Sequence, residues 1–194
     1  MQRMVEDYFG NLKKAMDAIS VTGQNGETYS FPDGVVAAVE LINKQSQAGR
    51  RLMFIGNGAS ASIASHMATD FTKAGGKRAT AFNDGALLTC IGNDFGYEYV
   101  FQKPIEFLAD PGDILFAISS SGNSENIHNG VKAARERGCH VVTFSGFKED
   151  NPLRDKGDLN FHVPFLGYGP VEILHHAICH CILDTMIMNQ QANS

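Results

Sequence analysis

His66 and Asp70 stand four residues apart, and so do Glu172, His176 and His180. Side chains at that spacing share one face of a helix. Each set can therefore present imidazole and carboxylate groups to a common point. Such groups bind transition metals or move protons near neutral pH. A single His–Asp pair is ordinary on a surface helix. His175, His176 and His180 fall in a helix otherwise rich in Ile, Leu, Ala and Cys, and imidazoles in such surroundings need partners. A metal and a substrate would supply them, and so would a buried hydrogen-bond network or an oligomer interface.

Two small-residue junctions suggest a different chemistry. AISSSGNSEN (117–126) brings the hydroxyls of Ser119, Ser120, Ser121 and Ser124 to the start of a helix, with Gly122 freeing the backbone. The unpaired amides and positive dipole end of a helix N-terminus favour an anion. A turn with a cap needs one serine, for which Ser124 is placed, and not four. No lysine lies in the stretch, which suits a phosphomonoester on a small metabolite. FIGNGAS (54–60) is a second loop, in which Gly56 and Gly58 allow close backbone approach and Asn57 offers an amide. It is neither G-x-G-x-x-G nor a P-loop, so it predicts no dinucleotide fold. It reads equally as a ligand loop and as a tight turn. Asn93 and Asp94, between Gly92 and Gly96, read as turn residues or as an amide and a carboxylate for sugar hydroxyls.

The elements that must position these residues alternate. Short apolar strands are predicted at 51–56, 78–82, 113–119, 140–146 and 158–164. Helices are predicted at 59–74, 98–109 (with Pro104 inside), 124–138 (ended by Gly138) and 170–190. This order implies an α/β fold, a doubly wound open parallel sheet of five strands covered on both faces. Two amphipathic helices, 3–20 and 34–47, precede it with only turn residues between them, Asp33 being able to cap the second. Residues 1–48 are expected to wrap the core or to form an oligomer contact, within one domain spanning 1–194.

Hydrophobic residues make up 43% of the 194, charged residues 19%, and the net charge is -5 with no basic block. That argues against nucleic acid as partner. No uninterrupted apolar stretch is long enough for a bilayer, and the acidic, amphipathic N-terminus reads neither as a signal peptide nor as a transit peptide; no membrane partner is expected. Cys90, Cys139, Cys179 and Cys181 form no CxxC pair and read as free thiols of a reducing cytoplasm.

Taken in order, GNGAS, SHMATDF, IGNDFGYEYVF, GDILFAISSSGNSENI and FLGYGPVEILHHAICH resemble the phosphoheptose isomerases of the sugar-isomerase (SIS) domain superfamily. The resemblance covers about residues 35–185, and the N-terminal helices also fit it. It implies a SIS fold, a cytoplasmic homotetramer with sites between subunits, and conversion of sedoheptulose 7-phosphate to glycero-manno-heptose 7-phosphate on the way to bacterial surface heptose. It further implies zinc, one per site, on His66, Asp70, Glu172 and His180, with Asp70 and His180 catalytic. Asn57, Gly58, Ala59, Asn93, Asp94 and Glu172 would contact substrate, and Ser119, Ser120, Ser121 and Ser124 would hold its phosphate. Two positions depart from the family pattern. Asp70 stands for its glutamate and Glu172 for its glutamine. The stretch TKAGGKRA also lacks an arginine expected there, although Lys73, Lys77 and Arg78 are near. The alternatives are an isomerase for another phosphosugar and a non-catalytic SIS-domain regulator that binds a phosphosugar or a protein.

Overall fold

The computed structural model describes residues 1–192. The five predicted strands form its centre: β3 (Leu52–Gly56), β4 (Ala79–Ala81), β5 (Ile114–Ser119), β6 (His140–Gly146) and β7 (Leu159–Val163). All five run parallel, in the order β7-β6-β5-β3-β4. Each strand turns alternate side chains to opposite faces, which divides the core in two. On one face Phe54, Phe116, Phe144 and Phe161 stack in a row with successive centroids 4.7, 6.0 and 5.4 Å apart. The helices α2 (Phe31–Gln47), α3 (Ala59–Lys73) and α7 (Tyr168–Ala192) cover this face. On the other face Met53, Ile55, Leu115, Ala117 and Val141 pack under α5 (Gln102–Leu108) and α6 (Glu125–Glu136). Each fully buried phenylalanine contributes about 2–3 kcal/mol.

The strand order places the site. From β3 the chain goes outward to the edge strand β4, then crosses back to β5 on the other side of β3. The loops leaving β3 and β5 therefore diverge, and ligands of open α/β sheets bind where strand order reverses in this way. These loops are the glycine loop and the serine loop.

The sheet has seven strands, not five. The segment expected to be only turn is a hairpin, β1 (Ser20–Gly23) and β2 (Thr28–Tyr29), which follows α1 (Gln2–Asp17). β1 adds antiparallel to β7, with Val21 opposite Phe161. The strands are too short to show alternation, and β1 is specified by its pairing partner more than by its own sequence. The cap of α2 is Ser30, whose hydroxyl accepts from Asp33 N at 3.2 Å, so that helix begins three residues before the position expected from Asp33. Residues 98–109 divide into a 3₁₀ turn, Tyr97–Tyr99, and α5, with Pro104 in the first turn of α5. Asn93 and Asp94 end a helix, α4 (Gly85–Asp94), instead of lying in a loop. α6 ends as expected, with Gly138 at φ +74°.

Contrary to the expectation of no spanning stretch, α7 is long and apolar enough by length and composition to cross a bilayer. Its apolar side is nevertheless spent on the core, where Val171, Leu174, Ile178, Ile182 and Met186 are buried. Glu172, His176 and His180 are its polar groups at the candidate site.

Candidate active site

A cavity of about 240 Å³ opens at the carboxyl ends of β3 and β5, lined by Asn57, Gly58, Ala59, Ser60, Ser119, Ser120, Ser121, Ser124, Tyr168 and Glu172. Three helices begin at its rim: α3 at Ala59, α6 at Glu125 and α7 at Tyr168. Each brings unpaired amides and a positive dipole end to the cavity. Among the described residues no lysine or arginine lines it, and the charged group present is Glu172. Burial raises the Glu172 carboxyl above its usual range.

Local contacts fix both loops. In the glycine loop, an added Cβ at Gly56 would lie 2.5 Å from the Ser60 carbonyl oxygen, so only glycine lets α3 turn so sharply off β3. Gly58, at φ +56°, occupies the N-cap position. The Asn57 side chain is committed to the protein. It exchanges two 2.9 Å hydrogen bonds with Asn126 and accepts a 3.2 Å bond from Tyr97 Oη. This amide pair ties the glycine loop to α6 and holds the crevice walls in register.

In the serine loop, Ser119 Oγ accepts from Gly122 N at 3.2 Å and Ser121 Oγ from Asn123 N at 3.3 Å. Ser124 stands at the N-cap position, yet its hydroxyl makes no cap bond, contrary to expectation. Ser120 is buried, and its Oγ has no protein partner. A buried orphan hydroxyl costs stability, and a bound anion is the kind of group that would satisfy it. The loop is also fastened from behind. Asn151 Nδ2 donates to the carbonyls of Ser120 and Gly146 at 3.0 and 2.8 Å, and His128 Nε2 donates to the Gly122 carbonyl at 2.6 Å.

Farther along the same helices, α3 and α7 bring three histidines together. One ligand atom from each of His66, His176 and His180 lies within 4.8 Å of the others. Ring centroids are 5.0 Å apart for His66–His176, 5.4 Å for His66–His180 and 4.7 Å for His176–His180. Asp70 Oδ2 is 3.1 Å from His66 Nε2. His176 Nε2 is buried without a hydrogen-bond partner, and burial, reinforced by the two neighbouring imidazoles, lowers its pKa. Glu172 is not part of this trio. His175 belongs elsewhere, buried on Phe144 with its Nε2 2.9 Å from the Ser145 carbonyl.

The remaining expected residues lie apart. Asn93 and Asp94 are exposed on α4, bonded to each other at 2.9 Å and outside the cavity lining. Lys77 donates to Asn43 and Arg78 to the Gly49 carbonyl, away from the cavity.

The SIS domain model matches residues 8–146. The phosphoheptose isomerase of Proteus mirabilis is 33% identical over 180 residues, covering 90% of this chain and 92% of that protein. That of Geobacter sulfurreducens is 34% identical over 156 residues, covering 77% and 82%. The chain belongs to the SIS domain family, in its phosphoheptose isomerase branch. Solved structures agree. The phosphoheptose isomerase of Neisseria gonorrhoeae superposes with a TM-score of 0.82 at 29% identity, over 95% of this chain and 97% of that one. The Francisella tularensis phosphoheptose isomerase gives 0.83 at 25% identity, over 97% and 98%.

Within this SIS domain the residues not anticipated from sequence are those that hold others. Asn126, His128, Asn151 and Tyr97 fasten the loops, and Tyr168 lines the cavity. Asn126 and His128 follow the serine run directly, the one signal available for them. Asn151 is distant in sequence and carried none. His176 was visible in the four-residue repeat, but the zinc set expected from the resemblance passed over it.

Proposed function

We propose that this chain is an aldose–ketose phosphosugar isomerase that converts sedoheptulose 7-phosphate to glycero-manno-heptose 7-phosphate. The observation that carries this reading is the pairing of two unlike sites on one pair of helices. The anion cavity lies at the N-terminal ends of α3 and α7, and the histidine–carboxylate cluster lies farther along both. At 1.5 Å per residue, His66 lies about 10 Å beyond Ala59 and His180 about 12 Å beyond Glu172. A sugar phosphate anchored at the serines extends its carbonyl end away from them, and acid–base groups belong at that end. The shared name of the relatives supports the same substrate class.

In this reading Ser119, Ser120, Ser121 and Ser124 hold the phosphate. Gly58 and Ala59 offer backbone to the sugar, and Asn57 keeps the crevice open to it. Asp70 removes the proton beside the carbonyl and returns it to the adjacent carbon by way of an enediol. His180 moves the hydroxyl and carbonyl protons. Imidazole and carboxylate donors suit zinc, which would polarise the carbonyl as a Lewis acid; His66, Asp70, Glu172 and His180 are the set the family pattern assigns to it.

A homotetramer in the cytoplasm completes the proposal. Self-association is supported by α1, which leaves Met4, Val5, Tyr8 and Phe9 exposed, and by a nearby apolar hollow formed by Met16, Ile19, Phe31, Leu174 and Cys181.

Incubation with sedoheptulose 7-phosphate in deuterated water tests the reaction. Aldose product and solvent deuterium in the recovered sugar are expected. Binding with neither would make the chain a phosphosugar-binding module. Asp70→Asn should lower kcat by about 10²–10⁴ while leaving phosphate-dependent thermal stabilisation in place.

A further inference from the structure

Glu172 and His176 are rivals for the same role. They stand one turn apart on one face of α7, so an ion held by His66 and His180 can draw its next ligand from either. Two observations favour His176. Its ligand atom lies within 4.8 Å of those of both other histidines, an arrangement that does not include Glu172. Its Nε2 is also buried with no hydrogen-bond partner, whereas Glu172 faces the serine cavity. A buried polar atom left unpaired is costly in a native fold.

We propose that His176 is a metal ligand in this chain, and that His66, His176 and His180 form a three-histidine site for a divalent first-row transition cation, one turn along α7 from Glu172. The geometry needs little change. Three nitrogens 4.8 Å apart lie about 2.8 Å from their common centre, and tetrahedral zinc requires about 2.0–2.1 Å. Each ring must move inward by about 0.7 Å, within reach of side-chain torsions. The carboxylate of Asp70, 3.1 Å from His66 Nε2, supplies the partner that orients a ligating imidazole and raises its basicity. Neutral imidazoles suit Zn²⁺, Co²⁺, Ni²⁺ or Cu²⁺ over Mg²⁺ or Ca²⁺. Three consequences follow within the site when the ion is bound: Glu172 is left to the cavity, Asp70 keeps an oxygen for proton transfer, and His180 serves as a ligand in place of its proton-moving role.

This inference rests on the proposed site but not on its turnover. The chelator-stripped full chain is titrated with Zn²⁺ by calorimetry and with Co²⁺ by visible absorption. The wild type should bind one ion with the intense bands of a tetrahedral cobalt site. His176→Ala should weaken zinc binding by about 100-fold, the upper end of what even an outer-shell partner costs, whereas Glu172→Gln should change it by less than about threefold. His176→Cys with Co²⁺ should add a sulfur-to-cobalt charge-transfer band that the wild type, with its four native cysteines, lacks. This band reports ligation directly, and a thermal melt of each variant checks folding. The proposal is overturned by absence of metal binding in the wild type, by His176→Ala affinity within about threefold of wild type, by Glu172→Gln losing as much as His176→Ala, or by no new band in His176→Cys. Isomerase turnover that persists in chelator, with no metal bound, would sink this inference and leave the proposed reaction standing. Metal binding through His176 without turnover would do the reverse.

Discussion

At the scale of single residues, the serine cavity holds one carboxylate and an orphan hydroxyl, and each has a measurable consequence. Glu172 lines the same cavity as the serines and would oppose an anion bound there. Removing its charge should tighten phosphosugar binding by about fivefold in a partly screened site. Glu172→Gln is therefore expected to lower KM at neutral pH. Burial already raises the Glu172 pKa, so the difference from wild type should shrink as pH falls and the wild-type carboxyl protonates; KM measured across mildly acidic pH checks both parts. Ser120→Ala should behave oppositely in two assays. Deleting an unpaired buried hydroxyl removes a desolvation cost of about 1 kcal/mol, so the melting temperature of the free protein should rise. Affinity for inorganic phosphate should fall by about tenfold, since a charge-assisted bond is lost. At this scale much was legible. Four hydroxyls before a helix exceed what a turn needs, and the i,i+4 spacing of His176 and His180 does put them on one face. What could not be read was commitment. His175 is adjacent to His176, yet it faces the core and its Nε2 bonds the Ser145 carbonyl, as a buried network requires. Asn57 looks like a ligand group but spends its amide on Asn126. Spacing gives direction along one helix and does not say what waits on the other side.

At the scale of elements, the serine loop owes its shape to a segment 31 residues away. Asn151 grips the carbonyls of Ser120 and Gly146 and accepts from Leu153 N at 3.0 Å, all in buried surroundings. An added Cβ at Gly122, where φ is +66°, would collide with the Asn151 side chain. The loop and its clamp are thus fitted to each other. Asn151→Ala leaves two carbonyls and one amide without that partner and should cost about 2–4 kcal/mol of stability. It should also raise KM more than it lowers kcat, because the loop holds phosphate and not the reacting carbons. A denaturant titration with steady-state kinetics separates the two effects. The elements themselves were legible where a local rule was sufficient. Five apolar runs alternating with helical periods produced the parallel sheet, and Gly138 marked the end of α6. The hairpin was not. The segment reads as turn residues and 24–26 do turn, but two flanking segments of four and two residues become strands only because β7 offers an unpaired edge. Ser124 fell short in a similar way. It takes the N-cap position while its hydroxyl makes no cap bond, so the position was readable and the bond was not.

At the scale of the whole molecule, acid should loosen the fold through two buried histidines. The layer between β6, β7 and α7 buries two histidines, His162 and His175. His162 meets Ser145 Oγ at 2.9 Å through Nδ1, and His175 meets the Ser145 carbonyl. Their other ring nitrogens are buried and unpaired. Burial pushes both down to about 4, the nearby Arg154 adding to the shift at His162. In the unfolded chain the same rings titrate near 6.5. Between these values the unfolded state binds more protons, so stability is complete above pH 6.5 and is lost progressively as pH falls towards 4. Each ring contributes about 3 kcal/mol over that window, a large part of the margin of a single domain. Melting temperature should therefore drop steeply between pH 6.5 and 4, and flatten below it once both states are protonated. His162→Leu should remove roughly half of the slope while lowering stability at pH 8 through the lost Ser145 bond, and His162→Leu with His175→Leu should remove most of it. A slope unchanged in the double variant would assign acid sensitivity to carboxylates instead. The same experiment bears on the site from a distance. His175 bonds the end of β6, one residue before the Gly146 carbonyl that Asn151 grips, so protonating the core should release the clamp on the serine loop. Phosphate affinity measured on protein still folded near pH 4, where the folded rings begin to protonate, is expected to fall further in the wild type than in the double variant.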